Sequence, residues 1–328
     1  MKVGIVGAGT IVPDFLEASQ HIENMQVTSI IGQDNDLKRM EELSLHYHIE
    51  YIYTDYQEFL LSDIDIVYIA VPNHLHYTFA KEALQKHKHV IVEKPFTSSY
   101  QEAFELIDFA QKHNLMIFEA ISNQYLPNYL KTKDLLNQLG NIKIVQLNYS
   151  QYSRRYDLFK QGTILPVFDP QKSGGALMDI NVYNIHFIVG LFGKPQSIIY
   201  SANIEKGIDT SGVLLLEYPH LRCVCIGAKD CSCPVSINIQ GDQGFIHSDN
   251  PANVYQTFVL GMNSGENTSF SLNQNENRLY YELEYFINLL KQKDFEEIKK
   301  ANQHTLDVMA ILDEARSQVN IEWRKDIC

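Results

Sequence analysis

The chain has 328 residues, of which 45% are hydrophobic and 20% are charged, a composition typical of globular proteins with room for about two domains. Its formal net charge of −13 argues against nucleic-acid phosphates or an anionic membrane surface as partners. No apolar run has the length that a membrane span needs, so we expect a cytoplasmic protein.

The N-terminal residues carry the pattern of a dinucleotide-binding turn. Residues 1–6 predict a buried strand, and Gly7-Ala8-Gly9 predicts a sharp turn into a helix. In such turns the first glycine permits the tight bend, and the second leaves room for a diphosphate that the helix N–H groups bind. Val12 stands where the pattern has its third glycine, so a strand–turn–helix without ligand remains the alternative. The residues expected to contact the cofactor here are Gly7, Gly9, Thr10 and Ile11.

Strands and helices alternate as far as residue 121, which predicts a doubly wound parallel sheet. After the first strand, strands are predicted at Gln26–Ile31, Tyr51–Tyr53, Ile66–Val71, His89–Val92 and Leu115–Glu119. Helices are predicted at residues 35–48, Tyr56–Leu61, Tyr77–His87, Tyr100–His113 and Leu126–Leu139.

From residue 142 the pattern changes to consecutive strands with short turns, which predicts a large, mostly antiparallel sheet. We therefore predict a Rossmann dinucleotide-binding domain over residues 1–121 and an α+β domain for substrate binding and oligomerisation over residues 122–328. A helix is expected at Ala176–Leu191, and two more close the chain, at Asn277–Lys291 and His304–Val319. The strands are predicted at residues 142–152, Ser197–Ile204, Ser211–Tyr218, Leu221–Gly227, Val235–Gln240, Gly244–Ser248 and Val254–Leu260.

Four of the five cysteines form two C-x-C pairs over residues 223–233, and the segment Gly227–Asp230 between the pairs predicts a hairpin turn. Four thiols brought together in this way could bind zinc, but structural zinc sites usually use C-x₂₋₄-C spacing. Because cysteine also packs well inside a sheet, we favour core packing and expect neither a metal ion nor disulfides.

Polar side chains follow several predicted strands at their carboxyl ends, where ligands of such sheets bind. Residues 71–76 (VPNHLH) follow the fourth strand and residues 93–95 (EKP) follow the fifth, although a solvated pair at a strand end is the alternative for the latter. In the second half, Asp179, Tyr183 and His186 have the i, i+4, i+7 spacing of one helical face. That face is either the wall of a site or a buried polar network.

Together these motifs resemble the glucose–fructose oxidoreductase/inositol dehydrogenase (Gfo/Idh/MocA) family over essentially the whole chain. The resemblance is carried by GAGTIV, VPNHLH, EKP, SGGALMDINVYNIH and TLDVMAILDEARSQ. It implies an NAD(P)-dependent oxidoreductase that acts on a secondary alcohol or ketone of a sugar, polyol or cyclic diol. It also implies a homo-oligomer, since the second-domain sheet often forms a dimer interface in this family. The alternative is a dinucleotide-sensing regulator without catalysis on the same fold.

The resemblance also assigns roles to single residues. Lys94 matches the catalytic lysine beside the nicotinamide, Tyr183 stands where many members have a catalytic histidine, and Asp179 matches an acid on the substrate side. A free phenol keeps its proton to about pH 10, so a tyrosine acting as general acid/base needs a nearby cation, and Lys94 is the candidate. His186 is a weaker candidate. Expected cofactor contacts further include Gln33, Asn73, His76, Glu93 and Lys94, and a substrate contact of Arg154, Arg155 and Tyr156 stays open.

Three positions depart from the family pattern. Asn181 stands where glycine is usual, which we attribute to the tolerance of asparagine for unusual backbone angles. Gln124 replaces a frequent arginine. Gly32-Gln33 ends the second strand, where relatives carry an acid for NAD or Ser-Arg for NADP, so the cofactor is expected to be NAD or NADP with a slight preference for NAD. Lys38 or Arg39 could instead serve a 2′-phosphate.

Overall fold

The computed structural model describes residues 1–324, which divide into two compact units. Of these residues, the first unit contains Met1–Ala120 and Leu279–Leu306, and the second contains Ile121–Arg278 and residues 307–324. The sequence analysis placed one domain boundary after residue 121 and did not predict that Leu279–Leu306 belong to the first unit. That return has a packing reason, because the Phe286 ring lies 4.3 Å from the Phe118 ring at the centre of the first unit. Cys328, in the predicted second domain, lies outside the described residues.

The first unit is built on a six-stranded sheet whose neighbours all pair in parallel, in the order β3-β2-β1-β4-β5-β6. This confirms the doubly wound sheet, and it places the carboxyl ends of β1, β4 and β5 side by side. The strands are β1 Lys2–Val6, β2 Gln26–Ile31, β3 Tyr51–Tyr53, β4 Ile66–Ile69, β5 His89–Glu93 and β6 Ile117–Ala120.

The second unit contains an eight-stranded sheet in the order β14-β13-β12-β11-β7-β10-β9-β8. All neighbours are antiparallel except β7 and β10, which pair in parallel. This confirms the predicted large, mostly antiparallel sheet. The strands are β7 Ile142–Ser150, β8 Ser197–Glu205, β9 Ile208–Glu217, β10 Arg222–Ala228, β11 Ser236–Gly241, β12 Gly244–Ser248, β13 Phe258–Met262 and β14 Asn267–Phe270.

The predicted hairpin at Gly227–Asp230 is wrong. Strand β10 is bordered by β9 and β7, so the next strand, β11, pairs on the far side of β7. The two C-x-C pairs consequently differ. Cys223 and Cys225 are buried in β10, as core packing predicts, whereas Cys231 and Cys233 are exposed in the segment that follows.

The helices have the predicted positions within a few residues, with two exceptions. A short helix after β7 was not predicted, and the last helix begins nine residues earlier than expected. The helices are α1 Val12–Ser19, α2 Leu37–Tyr47, α3 Tyr56–Leu61, α4 His76–Gln85, α5 Tyr100–Lys112, α6 Pro127–Leu135, α7 Arg154–Lys160, α8 Val182–Phe192, α9 Leu279–Gln292 and α10 Phe295–Ser317.

Helix α8 is the central helix of the second unit, and a π-helical turn, Leu177–Asn181, leads into it. Within the described residues, the helical stretch Pro170–Phe192 is long and apolar enough to cross a membrane by length and composition. Most of this stretch is buried inside the unit, where its apolar side chains form core.

Candidate active site

The turn after β1 requires glycine at its first position. Gly7 has a φ of +106°, which L side chains rarely adopt, and a Cβ there would collide with the carbonyl oxygen of Ala70. Its N–H donates to the carbonyl of Ile31 at 2.7 Å, which ties the turn to the end of β2. The end of β1 therefore lies directly against the end of β4.

The second glycine leaves an open backbone surface. A Cβ at Gly9 would meet only the Ala70 oxygen, at 3.8 Å, so the space above this residue is free in the protein. The backbone N–H groups of Thr10 and Ile11 have no hydrogen-bond partner within residues 1–324. Helix α1 begins at the buried Val12, whose side chain packs in the core where the fingerprint has glycine. An open glycine and free donors at a helix N-terminus fit a diphosphate.

The end of β2 places an arginine beside the same turn. Gln33 caps a short 3₁₀ turn, and its N–H donates to the Asp36 carboxylate at 3.2 Å. One helical turn later, Arg39 donates from Nε to the carbonyl oxygen of Ala8 at 2.5 Å and from a terminal nitrogen to that of Gly9 at 3.4 Å. The exposed guanidinium of Arg39 thus lies against the glycine turn, which the sequence raised only as one of two possibilities.

The end of β5 presents an acid whose orientation is fixed by a neighbouring strand. Glu93 is buried and accepts a hydrogen bond of 2.6 Å from the hydroxyl of Tyr68 on β4. The Tyr68 ring stacks on Phe15 of α1 with 3.7 Å between centroids, so helix, sheet and carboxylate are held in one arrangement. Lys94 follows, partly exposed, and its bond to Pro95 is cis.

His76 joins two of the strand-end segments. Its ring is fully buried, with Nδ1 2.9 Å from the carbonyl oxygen of Pro95 and Nε2 2.9 Å from that of Val71. Burial lowers the pKa of His76, so the ring is neutral and donates to one of these carbonyls. The structure thus gives His76 a bracing role between the VPN and EKP segments. Its contact with a cofactor, like that of Asn73 in the 3₁₀ turn just before it, stays a prediction.

Glu119 holds the EKP segment from the other side, and the sequence did not indicate this. Its buried carboxylate accepts from the N–H of Phe96 at 3.0 Å and from the hydroxyl of Thr305 at 2.8 Å. Glu119 of β6 therefore holds the segment after Lys94 through the Phe96 N–H, and Thr305 of α10 in turn orients Glu119.

In the second unit, Asp179 and Tyr183 lie about one turn apart where the π-helical turn passes into α8. Tyr183 is 7% exposed, and its ring centroid is 6.2 Å from that of Tyr149 on β7. The side-chain amide of Asn123 donates to the Tyr183 carbonyl at 2.8 Å. His186 is fully buried. Because π-helical turns hold more residues than α-helical ones, the spacing that predicted one common face applies only approximately here.

Asp179 has a cationic partner that sequence reasoning missed. The ammonium of Lys229 forms an ion pair with its carboxylate and lies 5.6 Å above the ring of Phe168. Lys229 directly follows β10, so the same strand-end reasoning that selected Lys94 would have selected it. The segment was interpreted as a hairpin turn instead.

The loop before the π-helical turn is anchored on a second buried acid, Asp209. Its carboxylate accepts from the Leu177 N–H at 2.7 Å and from the Tyr200 hydroxyl at 2.9 Å. Gly175, with a φ of +106°, leaves no room for a Cβ against this carboxylate. Burial raises the pKa of Asp209 to about 6.

Two of the three departures from the family pattern have a packing explanation. Asn181 has ordinary right-handed helical angles, so the expectation of an unusual backbone was wrong. Its side chain instead fills the space above Gly227, where a Cβ would lie 2.7 Å from the Asn181 Cβ. Gln124 donates to the His186 carbonyl at 2.8 Å and packs against Gly190 of the same helix.

The residues that were left open as a substrate loop form the start of α7. Arg154 and Arg155 are exposed there. Tyr156 instead belongs to an aromatic cluster with Phe159 and Phe168, and its hydroxyl donates to Glu205 at 2.6 Å. Tyr156 therefore has a structural role.

The glycine turn on a parallel sheet, followed by a unit with a large open sheet, defines a dinucleotide-dependent oxidoreductase of two units. The chain belongs to the Gfo/Idh/MocA family. Residues 1–121 match its oxidoreductase domain with NAD-binding Rossmann fold, and residues 129–247 match its C-terminal domain. The protein is thus an NAD(P)-dependent oxidoreductase acting on CH–OH groups.

Known relatives agree with this assignment. The chain is 32% identical to scyllo-inositol 2-dehydrogenase (NADP(+)) IolU of Bacillus subtilis, with 99% of each chain covered. It is 25% identical to trans-1,2-dihydrobenzene-1,2-diol dehydrogenase of Xenopus tropicalis, over 98% of this chain and 99% of the relative. In fold it is similar to KijD10, a 3-ketoreductase from Actinomadura kijaniata in complex with NADP and TDP-benzene, with a TM-score of 0.86, 20% identity and 99% of both chains covered.

Proposed function

We propose that the enzyme oxidises a secondary alcohol of a cyclic polyol, with an inositol as the first substrate to test. The proposal is supported by the inositol dehydrogenase that is 32% identical along 99% of its length. The observation that carries it is the pairing of a carboxylate and a phenol, Asp179 and Tyr183, about one turn apart at the start of α8. A carboxylate accepts hydrogen bonds from substrate hydroxyls, and a phenol can exchange the proton of the reacting one.

Three side chains have distinct roles in this proposal. When bound, the nicotinamide dinucleotide accepts or supplies the hydride. The Tyr183 oxygen, in its phenolate form, takes the proton of the reacting hydroxyl and becomes the phenol, which returns that proton in the reverse reaction. The Lys94 ammonium stabilises the negative charge that develops on the substrate oxygen. Asp179 accepts a hydrogen bond from a second substrate hydroxyl and so orients the ring.

The experiment follows the absorbance of reduced nicotinamide while the protein is mixed with each dinucleotide and a panel of polyols. The panel contains scyllo-inositol, myo-inositol, trans-cyclohexane-1,2-diol and glucose, with cyclohexanol as the substrate that lacks a second hydroxyl. We expect turnover of at least one cyclic polyol and much weaker turnover of cyclohexanol. Dinucleotide binding by calorimetry without turnover of any of these compounds would favour the non-catalytic regulator instead.

We further propose that NADP is accepted at least as well as NAD. The lack of an arginine directly after Gly32 favoured NAD, but the Arg39 guanidinium lies against the glycine turn and is suited to a 2′-phosphate. We expect Arg39→Gln to weaken NADP binding by about tenfold or more, as loss of a charge-assisted hydrogen bond does, and NAD binding by much less. Lys38→Gln, which removes the neighbouring exposed cation, is the matched control. Equal effects of Arg39→Gln on both dinucleotides would contradict this role.

The second-unit sheet supports a homo-oligomer. The register of its strands places four exposed apolar side chains on one face, and such a face is typically covered by a partner. We expect light scattering to give at least twice the chain mass of 37.7 kDa, and a monomer at micromolar concentration would contradict the proposal. These side chains are Ile144, Ile199, Val213 and Phe245.

A further inference from the structure

Lys229 is a buried lysine whose backbone is fixed on both sides. Its N–H donates to the carbonyl of Thr210 at 2.9 Å, and its own carbonyl accepts from Ser153 at 2.9 Å. The residue before it, Ala228, accepts from Gln151 at 2.9 Å. The start of the side chain is thus held between β9 and the segment that follows β7.

The two members of the ion pair differ in exposure. The Lys229 side chain is only 7% exposed, whereas the Asp179 side chain is 30% exposed. Lysine is rarely buried unless it is paired, because removing an ammonium from water is costly. The buried position of Lys229 therefore depends on the Asp179 carboxylate, and the side of the carboxylate that reaches solvent is determined by the lysine.

The pair also lies close to the proposed proton-transfer residue. Asp179 precedes Tyr183 by about one turn, and the Lys229 ammonium is held between its carboxylate and the Phe168 ring. If the ion pair only stabilised the fold, either of its two residues could be the more exposed one. Here the acid is more exposed, and it lies beside this tyrosine. A pair that presents a carboxylate to a ligand would have this arrangement.

We propose that Lys229 is a positioning residue that fixes Asp179 as the hydrogen-bond acceptor for a second hydroxyl of the substrate. The inference rests on the proposed function, since it takes Asp179 as a substrate contact. It extends that function by making the buried lysine the reason why polyhydroxy substrates are preferred over simple secondary alcohols. Lys229 itself transfers no proton and forms no bond to the substrate.

The test uses the full chain with its dinucleotide and compares Lys229→Met, Asp179→Asn and the double variant on scyllo-inositol. We expect Lys229→Met to raise KM by about tenfold, the loss of one good hydrogen bond, with dinucleotide affinity within about twofold of the wild type. In the Asp179→Asn background the same substitution should change KM by less than about twofold, because residues that act as a unit are not additive. The ratio of inositol to cyclohexanol turnover should fall in both single variants.

Two further variants keep the test decisive. Lys206→Met is the control, because Lys206 is a lysine of the same unit whose ammonium also lies above an aromatic ring, 4.9 Å from that of Phe159, and donates to the Phe159 carbonyl. Lys206 is exposed, unlike Lys229, so this variant controls for loss of a ring-stacked ammonium and not for burial, and it should leave KM unchanged. If Lys229→Met does not fold, Lys229→Gln replaces it with the same expected rise in KM, and a KM within about twofold of the wild type in that variant would overturn the inference. Neither variant leaves a buried charge without its partner, since the Asp179 side chain is 30% exposed.

Three results would overturn the inference in different ways. If the wild type turns over scyllo-inositol and Asp179→Asn raises KM, but Lys229→Met leaves KM within twofold, the positioning role is excluded while the proposed function stands. If Lys229→Met lowers the melting temperature and reduces kcat equally in both backgrounds, with KM unchanged, the pair is only structural. If the wild type turns over no polyol, the proposed function fails and this inference fails with it.

Discussion

The two units hold their carboxylates in different surroundings. In the first unit, Glu93 accepts from the Tyr68 hydroxyl, and Glu119 accepts from a backbone N–H and the Thr305 hydroxyl. In the second unit, Asp179 is paired with the ammonium of Lys229. Glu93 and Glu119 are buried and join elements of the first unit to one another, whereas the Asp179 side chain is 30% exposed. Of these three acids, Asp179 is therefore the one most accessible to a ligand.

The largest effect on turnover is expected from replacing Lys94 in the first unit. Lys94→Ala removes the ammonium while Glu93, His76 and Glu119 still fix the loop. We expect turnover to fall by about 10³-fold, as after loss of an electrostatic stabiliser of the reacting oxygen, with an unchanged circular dichroism spectrum. Near-normal turnover in steady-state kinetics would contradict the role of Lys94 in stabilising the reacting oxygen.

The two glycines of the turn in the first unit should separate an effect on stability from an effect on dinucleotide binding. Gly7→Ala should destabilise the protein, because a Cβ there collides with the Ala70 carbonyl oxygen and the backbone has positive φ. Gly9→Val should leave the melting temperature nearly unchanged, because the space above Gly9 is open, yet weaken dinucleotide binding by about 100-fold through the lost approach of the diphosphate. Unchanged affinity of Gly9→Val in calorimetry would place the diphosphate elsewhere.

In the second unit, we expect the buried acid Asp209 to make the free energy of unfolding depend on pH. The pKa of Asp209 is raised to about 6 by burial, so between about pH 4 and 6 the folded protein keeps a proton that the unfolded chain has released. This carboxyl group therefore stabilises the fold less as pH rises through that range. From pH 4 to pH 7.5, the unfolding free energy of Asp209→Asn should gain about 2 kcal/mol relative to the wild type.

Asp230 provides a control of opposite sign in the same unit. Burial acts to raise its pKa, but the hydroxyls of Thr210 and Ser211, the Cys231 thiol and its own backbone N–H together outweigh burial and lower the pKa. Its contribution to stability is present above the pKa of the unfolded chain and is lost as pH falls through the folded value. Urea titrations of Asp230→Asn should therefore show a loss relative to the wild type at neutral pH that disappears in acid. Parallel pH curves for both variants would contradict the assignment.

Much of the fold could be predicted from local patterns. Gln26–Ile31, Tyr51–Tyr53 and Tyr56–Leu61 have the predicted bounds, because their periodicity and flanking turn residues are unambiguous. Strand β14 escaped detection because Asn267–Phe270 is short and polar, and it lies at the edge of its sheet. The false hairpin after β10 came from a turn-like sequence that could not reveal β7 as the intervening neighbour.

The residues of the candidate site could be predicted where they belong to one local sequence motif. The glycine turn and the strand-end rule led to Gly7, Gly9 and Glu93 without any long-range information. The pair of Asp179 and Lys229 joins residues 50 positions apart, and the direction of the Arg39 side chain depends on how α2 packs. Such pairings are properties of the tertiary structure, and a single sequence does not encode them in a readable pattern.

The central claim is that the first unit binds the dinucleotide and Tyr183 of the second unit exchanges the proton. It is tested most directly by measuring kcat and the dinucleotide Kd of Tyr183→Phe beside Tyr156→Phe, which removes a hydroxyl from a tyrosine of similar burial, 8% exposed against 7%. We predict that Tyr183→Phe loses about 10²–10⁴-fold in kcat with Kd unchanged, and that Tyr156→Phe loses neither. Near-normal kcat in Tyr183→Phe would contradict the account, because another group would then exchange the proton.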